Sequence, residues 1–320
     1  MTQPGIGVGT WAWGNQLLWA YDPTADPELE ETFRRAVACG LRLFDTADSY
    51  GTGRFNGRSE TLLGRFAAAL PPAERARICL ATKLAPFPWR LGRHGFDRAI
   101  AASEHRLGGR IDRVQLHWST SRYAPWQELP LLDGLADRVS DGRIPELGLS
   151  NLGPRRLRRL HAHLHSRGVR IRSLQVQISL LSRAALAPGG VAEVCRELEI
   201  DLIAYSPLAL GLLARRQPMD DLPAAGPRRW VFGRLGPRLP PLLGLMAEIG
   251  QGRDAPLAAV ALNWCRAHGA LPIPGLRRPD QVPIVAAALD WQLTAEERLA
   301  LDRAASRIEL GMPENPFQSR

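Results

Sequence analysis

Lysine is almost missing from this sequence. Of 41 basic residues, Lys83 alone is lysine and the rest are arginine. Wherever a generic positive charge would serve, the chain uses arginine, a planar fork that stays protonated. An ammonium is a compact point charge whose pKa moves readily, so the one lysine marks a place where that difference matters. Cysteine is scarce too. Cys39, Cys79, Cys195 and Cys265 stand far apart, with no C-x-x-C pair and no Cys/His metal spacing. They read as reduced packing residues of a reducing compartment. No apolar run has the length of a membrane span, and the first strand candidate starts too early for a signal or transit peptide to precede it. The expected location is the cytoplasm. Acidic residues are outnumbered, 32 against 41, for a net charge of +9. The arginines are spread along the chain without an aromatic stacking pattern, which argues against nucleic acid as a partner. The charge favours phosphorylated small molecules instead.

What is present is alternation. Short apolar runs read as strands at Ile6 to Gly9, Leu41 to Asp45, Ile78 to Thr82, Arg113 to His117, Glu146 to Ser150, Ser173 to Gln177, Leu202 to Tyr205 and Ala270 to Ile273. Amphipathic stretches lie between them, among them 27–39, 59–70, 96–107, 155–167 and 257–268. Strands alternating with helices imply a parallel sheet. The dinucleotide fingerprint G-x-G-x-x-G follows none of the strands, which disfavours an open doubly wound sheet. The expected fold is a single-domain (β/α)8 barrel over 1–320, as a monomer or weak homo-oligomer. Residues 215–241, rich in Pro, Gly and Arg, read as a long loop over the active face or a flexible segment. A C-terminal helix and tail occupy 294–320, opened by a capping box from Thr294 to Glu297. His161, His163 and His165 lack a third ligand on one helix face, so no metal is expected.

In such a barrel the reactive groups stand at the carboxyl ends of strands. Those ends carry Asp45, Lys83 and His117, with Tyr50 just after the second strand. A free phenol with a pKa of about 10 is a poor proton donor near neutrality. A neighbouring ammonium lowers that value. Asp45 would hold the ammonium, and His117 would donate a hydrogen bond to a substrate carbonyl. Each residue taken singly also has a structural explanation: a turn cap, a rim aromatic, a core histidine. Their convergence on successive strand ends favours chemistry.

Phe-Asp-Thr-Ala-Asp-Ser-Tyr-Gly at 44–51 resembles the signature of the aldo-keto reductase family. Gly-Thr-Trp at 9–11, Ala-Thr-Lys at 81–83, Gln-Leu-His at 115–117, Gly-Leu-Ser-Asn at 148–151 and Tyr-Ser-Pro-Leu at 205–208 extend the likeness over most of the chain. The resemblance implies reduction of a carbonyl substrate by NADPH, with Asp45, Tyr50, Lys83 and His117 as the catalytic tetrad. It places the coenzyme across the barrel mouth, beside Gly9, Thr10, Trp11 and Asp45. Ser150, Asn151 and Gln177 would hold the nicotinamide carboxamide, and Tyr205 would stack on its ring. Ser206, Pro207, Leu208, Ala209, Leu210 and Gly211 would form the pyrophosphate loop. Gly275, Arg277, Arg278 and Gln281 match the segment that grips the adenosine phosphate. Ile284 and Val285 stand where the family has an acidic residue and an asparagine for adenine.

Within the family, 9–19, 50–60, Pro-Trp-Arg at 88–90, Leu-His-Trp-Ser-Thr at 116–120 and the tail Asn-Pro-Phe-Gln-Ser-Arg at 315–320 are most similar to the pyridoxal reductases of plant plastids and cyanobacteria. Trp13, Trp19, Trp89 and Trp118 are the candidate walls of an aromatic aldehyde pocket. Two alternatives differ in class: a redox-sensing NADPH-binding protein with little turnover, and a lyase in which Lys83 forms a Schiff base.

Overall fold

The computed structural model describes residues 5–217, 219–220, 222–223 and 226–319. Eight parallel strands pair in chain order: β1 Val8–Gly9, β2 Leu43–Asp45, β3 Cys79–Leu84, β4 Arg113–Leu116, β5 Glu146–Ser150, β6 Ile171–Gln177, β7 Asp201–Tyr205 and β8 Ala270–Ile273. The ring closes where the Gly7 amide donates to the Pro272 carbonyl at 3.0 Å and the Gly9 amide to that of Pro274 at 2.9 Å. All eight expected strands are present in a (β/α)8 barrel. No helix among the described residues is long and apolar enough to cross a membrane.

The two-residue period of each strand divides the side chains between two environments. Phe44, Leu80, Val114, Leu116, Leu147, Leu149, Leu174 and Val176 are buried in the shell between strands and helices. The opposite parity fills the lumen in layers. At the amino-terminal end Arg113 pairs with Glu146 at 2.6 Å and reaches Ser173 Oγ at 3.3 Å. Leu43, Ala81, Ile203 and Ile273 make a small apolar plug. Two residues further along their strands, Asp45 and Lys83 stand above it at the mouth. Gly148 keeps the lumen open for Gln115, since a Cβ there would lie 2.8 Å from Gln115 Cγ.

Helices cover the ring much as the periodicity predicts, over Asp26–Ala38, Arg58–Ala68, Asp97–Arg106, Pro154–Ser166 and Leu257–Ala267. Thr294 and Glu297 form the reciprocal capping box of the helix Ala295–Ser306. The 215–241 interval is a correction. It is not one loop but contains a helix over Gly226–Leu235, and a second begins at Pro240. Val231, Phe232 and Leu235 are buried, and this local packing outweighs the glycine, proline and arginine content that reads as loop. Residues 218, 221, 224, 225 and 320 lie outside the described residues.

The helix Arg58–Ala68 approaches 97–106 so closely that a Cβ on Gly64 would meet the Arg106 carbonyl oxygen at 2.2 Å. Gly64→Ala is expected to lower stability by about 1–3 kcal/mol through this backbone clash. Urea denaturation checks it, and an unchanged midpoint would show that the two helices are free to part.

Candidate active site

The mouth is organised around one buried ion pair. Lys83 Nζ donates to Asp45 Oδ2 and, at 2.8 Å, to the Thr46 carbonyl. Lys83 and Asp45 are each only 1% exposed. The second carboxylate oxygen accepts from the side-chain amides of Gln115 and Gln175, each at 2.8 Å. Asp45 is thus fully used, as a buried charge must be. Burial acts to discharge Lys83, but Asp45 beside it holds its pKa above the ordinary value. A protonated amine has no lone pair for Schiff-base chemistry, which counts against the lyase alternative.

Tyr50 lies over this pair, with Lys83 Nζ 4.8 Å from its ring centre. Its ring meets that of His117 edge to face, centroids 5.8 Å apart. The tetrad expected from sequence is therefore gathered in one place. The phenol departs from expectation. Burial raises the Tyr50 pKa more than the Lys83 ammonium lowers it, and Asp45 and Asp48 push the same way as burial. Lys83 moderates the shift without reversing it, so Tyr50 stays a protonated donor across the neutral range. The His117 pKa lies well below its ordinary value, first through burial and then through the Lys83 charge. Its ring is neutral, with Ser49 Oγ 3.5 Å from Nδ1. One charge of each sign and two neutral donors make a site suited to giving a proton to a developing alkoxide.

The loop carrying Tyr50 is fastened from below. Asp48 pairs with Arg90 of the Pro-Trp-Arg segment and accepts from the Ala85 amide at 3.2 Å. Thr10 is sealed behind Asp45, its hydroxyl on the Asp45 carbonyl at 3.0 Å and on Ser59 at 2.7 Å. Gly9 pairs with Gly275 across the barrel seam, and Trp11 is 38% exposed.

The other half of the mouth comes from the later strands. Ser150 Oγ donates to the Gln175 carbonyl at 3.0 Å. Asn151 adopts left-handed backbone, φ 59°, a region asparagine tolerates. Its amide nitrogen donates to the His117 carbonyl at 2.9 Å, and its oxygen accepts the Tyr205 hydroxyl at 2.9 Å. Gln177 ends β6 half-buried, while Gln175, passed over in sequence, reaches Asp45. After β7, Ser206, Ala209 and Leu210 all have positive φ, as does Gly211. The Gln281 side chain accepts the backbone amides of Arg277 and Arg278 at 2.8 and 3.2 Å. Arg278 pairs with Asp280 at 3.0 Å. Arg277 is held below its ordinary pKa by burial and by the like charges of Arg278 and Arg215.

One of the tryptophans expected to wall a substrate pocket does not. Trp13 is core, wholly buried, edge-on to Phe66 and hydrogen-bonded to the Leu276 carbonyl at 2.8 Å. Trp19 packs against the guanidinium groups of Arg228, at 4.1 Å, and Arg277, at 4.8 Å. Trp118 neighbours His117 at 4.9 Å between ring centres, and Trp89 stacks on Phe87 at 4.7 Å. The tail completes this wall. Phe317 stacks on Trp118 at 4.3 Å, and Asn315 donates to Asn151 Oδ1 at 3.0 Å and the Tyr205 hydroxyl at 2.9 Å. The tail motif carries a subgroup likeness in sequence but no signal of these contacts.

The aldo/keto reductase family model matches residues 5–306. The chain is similar to a chloroplastic pyridoxal reductase of Arabidopsis thaliana, 45% identical over 98% of this chain and 87% of that protein. An uncharacterized oxidoreductase of Mycobacterium bovis is 33% identical over 94% of this chain and 88% of its own. Among solved structures, a Klebsiella pneumoniae aldo/keto reductase crystallised with NADP and acetate superposes with a TM-score of 0.73 at 24% identity, covering 99% of this chain and 96% of that one. A glycerol dehydrogenase of Gluconobacter oxydans gives 0.75 at 24% identity, over 99% and 97% of the two chains.

The His117 shift carries a stability consequence. The unfolded chain protonates this residue below about pH 6.5, whereas the folded chain refuses the proton, so folding is weakened as pH falls below that value. His117→Gln is expected to flatten the loss of stability between pH 7 and 5, by at most about 1.4 kcal/mol per pH unit. Denaturant titrations at the two pH values check it; equal slopes would place a protonatable His117 in the fold.

Proposed function

The chain belongs to the aldo/keto reductase family, and from that premise we propose that it reduces an aldehyde or ketone to the alcohol with NADPH. The observation that carries this reading is the Tyr50 phenol set beside His117 and over the Lys83–Asp45 pair. When bound, NADPH would supply the hydride. Tyr50 gives its phenolic proton to the carbonyl oxygen, and His117 orients that oxygen by a hydrogen bond. The phenolate left behind is stabilised by the Lys83 ammonium, which Asp45 keeps charged and in place, until solvent returns the proton.

The later strands fit the coenzyme. Non-glycine residues in left-handed backbone cost of order 1–3 kcal/mol each and cluster at ligand clamps. Three of them, Ser206, Ala209 and Leu210, follow β7. Arg277 is crowded by like charge, and a phosphate dianion would relieve it. Arg278 is partly satisfied by Asp280, so Arg277 is the stronger candidate for the 2'-phosphate. Tyr205, whose hydroxyl is fixed by Asn151 and Asn315, would offer its ring face to the nicotinamide.

The leading substrate is pyridoxal. The plant relative bearing that name supports it, as does the aromatic wall of Trp118, Phe317, Phe87 and Trp89 beside His117. The four free cysteines favour a reducing compartment, and we place the enzyme in the cytoplasm.

An NADPH-oxidation assay over a panel of aldehydes including pyridoxal tests the reaction, and no turnover on any member would overturn it. Tyr50→Phe is expected to keep coenzyme binding, followed by fluorescence, while turnover falls about 10²- to 10⁴-fold. Unchanged turnover would remove Tyr50 from the chemistry. Lys83→Arg keeps the charge but puts a broad fork where a compact ammonium is buried, and turnover is expected to fall about 10²-fold or more. Near-normal rates would reduce the lone lysine to an accident of composition.

A further inference from the structure

A cavity of about 540 Å³ lies beside the active-site wall, lined by Ser121, Arg122, Arg155, Arg156, Arg159 and Ser319. None of these belongs to the tetrad. Four guanidinium groups and two serines meet there, with no carboxylate among the described lining residues. Arg156 is neutralised by buried Glu128 at 3.1 Å, and Arg122 donates to the Pro316 carbonyl at 2.9 Å. Arg155 and Arg159 are exposed, and the ion pairs among the described residues include neither. They lie one turn apart on the helix Pro154–Ser166, whose first turn has no acidic residue and whose cap, Gly153, has no side chain. Two arginines without counter-ions among the described residues and a third spent only on a carbonyl therefore converge on one cavity, at the start of a helix.

We propose that this cavity is an anion site for a phosphate group, free or carried as a phosphomonoester, and that its occupant latches the C-terminal tail onto the active-site wall. Guanidinium forks match phosphate oxygens in pairs, and two serine hydroxyls supply further donors. The latch follows from the covalent path. Ser319 lines the cavity, its hydroxyl accepts the Gly153 amide at 3.4 Å, and its own amide donates to the Asn151 carbonyl at 3.0 Å. Arg122 holds Pro316 from the same cavity. Between these two fixed points, Phe317 lies on Trp118; just before them, Asn315 holds Asn151 and Tyr205. An anion drawing Arg122 and Ser319 together holds the whole segment.

The test compares the full chain with Arg155→Ser/Arg159→Ser, two exposed positions outside the tetrad. Calorimetric titration with inorganic phosphate and with glycerol 3-phosphate is expected to show one more saturable site in the wild type, lost or weakened at least tenfold in the double variant. Sodium chloride at matched ionic strength controls for screening. Tighter binding of glycerol 3-phosphate identifies a phosphomonoester, and equal binding identifies the phosphate group alone. Hydrogen exchange supplies a second readout. The Phe317 and Ser319 amides are expected to slow on adding phosphate to the wild type and to be unmoved in the variant. Identical titrations for the two proteins, or tail exchange indifferent to phosphate, would overturn the proposal.

Discussion

A lysine ammonium and an aspartate carboxylate face each other inside this barrel where water does not reach, and the rest of the mouth is arranged so that they can. Either charge alone would be intolerable. Breaking such a pair by removing one partner costs roughly 3–5 kcal/mol, because the survivor is left buried without compensation. The structure meets the demand with neutral donors and acceptors. Gln115 and Gln175 serve the carboxylate from β4 and β6, and the Thr46 carbonyl serves the ammonium. Gly148 leaves room for Gln115 to do so. An arginine would need a wider chamber and more acceptors than these neighbours offer, which is the physical sense of the single lysine in a chain that otherwise uses arginine.

The pair also sets the protonation of what lies above it. Lys83 disfavours a second positive charge, so it joins burial in keeping His117 neutral. Asp45 disfavours a second negative charge, so it joins burial in keeping Tyr50 protonated. The expectation that the ammonium would bring the phenol below its ordinary pKa considers only the nearest charge. Desolvation is the larger effect here, and the carboxylates behind the ammonium weaken its pull. The poise suits a donor that must hold its proton until negative charge develops on a neighbouring oxygen, at which moment the ammonium is already in position.

How far this was legible in the sequence depended on the range of the interaction involved. Strands and most helices follow from local periodicity, and the tetrad follows because chemistry in this fold gathers at strand ends, so Asp45, Lys83 and His117 are located by counting along three strands. Gln175 escaped notice because its partner lies 130 residues away, on Asp45. Trp13 and Trp118 look alike as tryptophans near strand ends, yet the chain turns Trp13 into the Phe33–Phe66 core and Trp118 toward His117. The helix Gly226–Leu235 has little amphipathic pattern, and its buried Phe232 and its Arg228 contact on Trp19 are tertiary facts. The tail is the extreme case. Asn315 and Phe317 follow the last helix without any periodicity, and only the fold places them against Asn151 and Trp118.

That placement divides the labour of the chain. The residues proposed to move or stabilise the proton, Asp45, Tyr50, Lys83 and His117, come from the first half, while the strained turn after β7 and the Arg277 segment come from the second. A barrel closed by backbone hydrogen bonds from Gly7 and Gly9 to Pro272 and Pro274 holds both halves in register, and the Gln175 side chain joins them at Asp45. Two further features link the rims. Asn151 binds the His117 backbone on one side and Tyr205 on the other, and the tail then fixes Asn151 itself through Asn315 and Ser319. The distance between a proton donor on an early strand and an aromatic platform on a late one is thus set by a short polar relay. The relay ends on the tail, the one part of the wall that no strand supports, so the precision of the site depends on how firmly those last residues are held.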